Sequence, residues 1–117
     1  MMINKFIHLV AIASLALGAQ AGDKEVHDFD KEVKPLLETF CIRCHGERKQ
    51  KGEVRLDILD PDMVKGMDAE KWHAALDVIN TSDMPPEDVK QPSKEERQII
   101  VDWMTSELKR AKEIKRG

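Results

Sequence analysis

Cys41, Cys44 and His45 stand together in the run CIRCH, and the 117-residue chain has no other cysteine. Two thiols three residues apart, followed at once by an imidazole, limit what this chain can fold into more than any other feature. The large side chains are few: three Phe, two Trp and no Tyr. A chain of this length buries a modest share of its surface and often needs a staple. Here only these two cysteines are available to make one.

The first 21 residues do not count toward the fold. Met1 to Lys5 give a charged start, Phe6 to Gly18 are almost all apolar, and AQA at 19–21 is a small-x-small cleavage site. That is the pattern of a secretory signal peptide. The apolar run is shorter than the ~20 residues a membrane span needs. An uncleaved anchor is the competing reading. No cysteine follows the run, which argues against a lipoprotein. The expected mature domain is 22–117, with 18 Lys and Arg against 22 Asp and Glu. That negative balance does not suit a nucleic-acid binder. No stable membrane span is expected after cleavage.

Three amphipathic helices are legible in the rest. In DFDKEVKPLLETF the residues Phe29, Val33, Leu36, Leu37 and Phe40 share one helical face. Pro35 interrupts it and predicts a kink or a late start. In DAEKWHAALDVIN the face is Trp72, Leu76 and Ile79, with Asp68 as the expected N-cap. In the third, Ser93 and Glu96 form a capping box, and Ile99, Ile100, Trp103, Met104 and Leu108 follow at helical spacing. The stretches 46–67 and 80–92 read as loops. No run alternates long enough to argue a sheet.

C-x-x-C-H in an exported chain points to covalent attachment of c-type haem. Haem carries two vinyl groups on neighbouring pyrroles, and thiols three residues apart reach both. The next side chain then falls at the iron, so Cys41 and Cys44 anchor and His45 is the proximal ligand. A redox disulfide would need a βαβ setting, and none is visible. A zinc site would need a second ligand pair, which His27 and His73 do not form. A structural disulfide across so short a loop would add little. A buried haem would also supply the apolar bulk that the chain lacks.

Four methionines follow residue 21. Met104 falls on the third helix face and reads as core. Met63 and Met67 lie in a loop and could reach the haem edge. Met84 is expected to be the second axial ligand, because Pro85 and Pro86 follow it. A residue before proline is held extended, and the prolines stiffen the loop. His73 and His27 are the alternatives, and either would give a bis-histidine haem.

These residues resemble class I cytochrome c, and more closely the planctomycete-type cytochrome c domain. The resemblance rests on VKPLLETFCIRCHG (33–46), KGEVRLD (51–57), KWHAALDVI (71–79), MPP (84–86) and IVDWM (100–104), in that order. It covers about 28–108. It implies an all-α, class I cytochrome c-like fold, with three main helices around one covalent haem c and with His45 and Met84 as axial ligands. It also implies that the first and last helices cross. Class I members often place a glycine at that crossing, where this chain has Val33. They often orient the proximal histidine with a proline carbonyl beyond the haem motif, and Pro61 follows it here.

With both axial positions filled by protein, the expected function is one-electron transfer rather than catalysis. The chain then reads as a periplasmic or otherwise exported cytochrome that meets redox partner proteins from outside. Two alternatives stand beside it. One is a haem sensor or enzyme with an open or labile distal site. The other is an electron-relay subunit of a larger periplasmic dehydrogenase.

Overall fold

The computed structural model describes residues 26–116, so the expected signal segment 1–21 lies outside the described residues. The described residues form three α-helices: α1 (Lys34–Phe40), α2 (Ala69–Asn80) and α3 (Lys94–Arg116). No strand appears among them, only a single bridge between His45 and Gln50. This is a helical fold compatible with an all-α cytochrome c.

The first predicted helix is two pieces. Phe29–Val33 is a π-helical turn, and α1 begins after it with Pro35 in its first turn. The cause is steric. In a continuous α-helix the Pro35 ring would press on the carbonyl four residues back. The widened turn removes that clash, with the Lys34 N–H donating to the Phe29 carbonyl five residues earlier. Asp28 caps the turn by accepting from the Lys31 N–H at 3.0 Å.

Helix α2 covers the predicted stretch, with Trp72 and Ile79 buried and Leu76 half-buried. Asp68 sits at its N-cap position but makes no side-chain cap. Its carboxylate accepts from the Asp60 N–H at 2.8 Å instead, tying the preceding loop to the helix start. The capping box of α3 forms as its sequence predicts. Glu96 N–H donates to Ser93 Oγ at 3.0 Å, and Ser93 N–H donates to Glu96 Oε1 at 2.9 Å.

The core is built on three aromatics. Trp72 and Trp103 are fully buried and meet edge-on at 5.1 Å between ring centroids. Phe29 lies 4.8 Å from Trp103 and 6.2 Å from Trp72. The π turn and α2 both pack against α3. At the place where a glycine is common, Val33 is buried completely. The chain therefore fills this junction with a side chain and joins the first segment to α3 through Phe29.

Candidate functional site

Helix α1 ends at the cysteine motif. Cys41 N–H and Ile42 N–H both donate to the Leu37 carbonyl, and Cys44 N–H and His45 N–H both donate to the Cys41 carbonyl. The motif is thus one tight turn continuing from a helix end. The chain beyond it is clipped back: Lys51 N–H donates to the Cys44 carbonyl at 2.9 Å, and Leu56 N–H to the His45 carbonyl at 2.7 Å. Gly46 permits this packing, since a Cβ there would lie 2.5 Å from the Ile42 carbonyl oxygen and 2.7 Å from its Cγ2.

This turn forms one wall of a cavity of about 580 Å³. Cofactor sites run from roughly 300 to 1,000 Å³. Cys41, Cys44, His45 and Met84 all line it, and the other walls are mainly apolar, including Phe40, Leu56, Leu59, Ile79 and Pro85. Both cysteines are free thiols. Burial pushes the Cys41 thiol up to about 11, against the opposing pull of the Arg97 charge.

His45 Nδ1 is buried without a hydrogen-bond partner, so the Pro61 carbonyl does not receive it. Buried polar groups are nearly always satisfied, and the exceptions call for an explanation. A histidine kept for packing or hydrogen bonding would be held at its ring. This one is held by its backbone, at the wall of a cavity. Two thiols, an imidazole unpinned at Nδ1 and a thioether on one apolar cavity are a donor set that fits a covalent haem.

The competing ligands are placed elsewhere. Met63 and Met104 are core residues, 1% and 0% exposed, and Met67 is 95% exposed. His73 lies on the outer side of α2 with Nδ1 3.6 Å from Asp77. His27 sits between Glu32, at 3.5 Å, and Asp102, at 3.9 Å. Among the described residues, no group of three or more His, Cys, Asp or Glu is arranged to hold a metal ion. No helix among them is long and apolar enough to cross a membrane.

One residue beside the site is not legible in the sequence. Arg97, one turn into α3, donates from Nη1 to the Ile79 carbonyl at 2.9 Å and to the Met84 carbonyl at 2.8 Å. Its Nη2 donates to Gln91 Oε1 at 3.0 Å. Gln91 Nε2 in turn donates to the Pro86 carbonyl at 2.8 Å and the Pro85 carbonyl at 3.2 Å. A clue was present: Arg97 lies three residues before buried Ile100, on the inward side of an amphipathic helix.

Residues 41–88 match the family model described as Planctomycete cytochrome C. That match supports a planctomycete-type cytochrome c domain over this stretch. No curated protein and no solved structure gives a match. The family implies haem c as the cofactor and fits a role in electron transfer. The matched span runs from Cys41 through the loop after Met84. It contains all four cavity residues singled out by their chemistry.

Proposed function

We propose that the chain is an exported c-type cytochrome that carries single electrons through one covalent haem. Cys41 and Cys44 would hold the haem by thioether bonds, and His45 and Met84 would ligate its iron. The observation that carries this reading is the meeting of both thiols, the imidazole and one methionine out of four on a single cavity. When bound, haem c supplies a one-electron iron couple. The protein contributes attachment, axial ligands and the exclusion of water by apolar walls. With a thioether and an imidazole as ligands, the iron would favour its reduced state more than with two imidazoles, on the high-potential side.

Partner proteins meet the cavity from outside. Val54, Ile58, Val78 and Val89 line it and are also exposed, by 37–63%. An apolar rim of this kind suits brief docking of a redox partner.

The test is a spectrum. Protein matured with its haem-attachment machinery should gain the mass of one haem and show low-spin iron with a weak near-infrared thioether band. Met84→Ala should open the distal site, convert ferric iron to a high-spin or water-bound form, lower the reduction potential and admit carbon monoxide. Met63→Ala and His73→Ala should leave the spectrum low-spin. Carbon monoxide binding to the unmutated protein at the rate of an open haem would turn the reading toward a sensor or enzyme.

A further inference from the structure

We infer that Arg97 is the positioning residue for the distal ligand: its guanidinium fixes the Met84 loop to α2 and α3, and so holds the thioether on the iron. This rests on the reading of Met84 as an axial ligand. The geometry goes further than that reading.

Met84 is held at both ends of its backbone. Its N–H donates to the Val78 carbonyl at 3.0 Å, and its C=O accepts from Arg97 Nη1 at 2.8 Å. The same Nη1 donates to the Ile79 carbonyl, in the last turn of α2. One nitrogen thereby sets the separation between the end of α2 and the ligand residue. The other arm, Nη2, fixes Gln91, whose amide caps the carbonyls of Pro85 and Pro86 beyond the ligand. The loop is thus tied on both sides of Met84 by a single side chain of α3, which itself starts from a satisfied capping box.

Such a brace has a purpose that packing alone does not supply. A thioether is a neutral, weak donor, and its bond competes with water, carbon monoxide and neighbouring side chains. Ordering the loop beforehand removes the entropy that ligation would otherwise have to overcome. Hydrogen bonds from a charged donor are about twice as strong as neutral ones. The forked, planar guanidinium reaches several acceptors at once, which an ammonium cannot do.

The test compares Arg97→Ala, Arg97→Lys and Met84→Ala in matured, haem-loaded protein. Three readings are taken: the near-infrared thioether band, the carbon monoxide association rate, and hydrogen exchange at the Met84 amide. Arg97→Ala should weaken the band, speed carbon monoxide association about ten- to a hundredfold and speed exchange at Met84. Arg97→Lys keeps the charge without the fork and should fall between the unmutated protein and Met84→Ala. Where Arg97→Ala does not mature, Arg97→Lys alone decides. A band and association rate in both Arg97 variants equal to the unmutated protein, with Met84→Ala altered, would overturn the positioning role and leave the ligand reading intact. An unaltered spectrum in Met84→Ala would overturn the ligand reading and this inference with it.

Discussion

The two buried tryptophans differ in one respect that can be measured. Trp72 and Trp103 are both 0% exposed, and they touch each other. Trp72 Nε1 donates to the Asp60 carbonyl at 2.7 Å, whereas Trp103 Nε1 is buried with no partner. Changing each in turn to Phe removes a similar volume from the same cluster, so the packing losses largely cancel in the comparison. What remains is the hydrogen bond. Trp72→Phe breaks it and strands the Asp60 carbonyl, which costs roughly 1–3 kcal/mol. Trp103→Phe removes a buried donor that was already unsatisfied and relieves a penalty of the same kind. Trp72→Phe should therefore be the more destabilising by at least about 1 kcal/mol. In a domain of this size that difference is a gap in Tm of about 4–8 °C or more. Denaturant unfolding of the haem-loaded protein, followed by far-UV circular dichroism, gives the free energies directly. Equal losses, or a larger loss for Trp103→Phe, would mean that the indole N–H of Trp103 is satisfied or that packing around the two rings is not comparable.

The other expectations are briefer. Replacing both Cys41 and Cys44 by Ala should leave a chain with much reduced helix content, because the apolar cavity walls lose the group that covers them; a cooperative, native-like melt would refute this. In the unmutated but haem-free chain, Cys41 should be alkylated as fast as an unfolded thiol. Were the fold to persist without haem, burial would hold Cys41 near 11, leaving only about one thiol in a thousand as thiolate at pH 8 and a reaction that speeds up as pH rises. Ser93→Ala should cost about 1 kcal/mol by removing the acceptor for the Glu96 N–H, measured by thermal unfolding of the loaded protein.

What the sequence disclosed follows from the range of each interaction. The α2 and α3 faces were legible because burial along one helix repeats at 3.6 residues, and the box of Ser93 and Glu96 because capping is local. That Cys41, Cys44 and His45 share one turn was legible because C-x-x-C-H is a local motif. Pro35 announced a disturbance, but whether the chain answers with a kink, a late start or a widened turn depends on what Phe29 must reach, and that is Trp103, 74 positions on. Asp68 had an N-cap's identity and position, yet its carboxylate went to Asp60, a partner eight residues back that helix rules do not consider. Arg97 was missed for the same reason. Its acceptors are backbone carbonyls, 13 and 18 residues away, which carry no side-chain signature.

The division of labour along the chain follows from these ranges. Every residue lining the cavity falls between Phe40 and Val89, nearly the span 41–88 that matches the cytochrome family. That span supplies Leu56, Leu59, Met63, Trp72 and Ile79 to the core but does not complete it alone. Trp72, its largest side chain, is sealed by Phe29 from before it and Trp103 from after it. The loop that bears Met84 is braced by Arg97, again from after it. The chemistry is thus written in one contiguous segment and its rigidity in the two flanks. Substitutions in the flanks should act on how firmly the site is held, and substitutions within the segment on what the site can hold. Arg97 is the point where the two meet, since one guanidinium on α3 reaches the Met84 carbonyl, the end of α2 and the loop beyond the prolines.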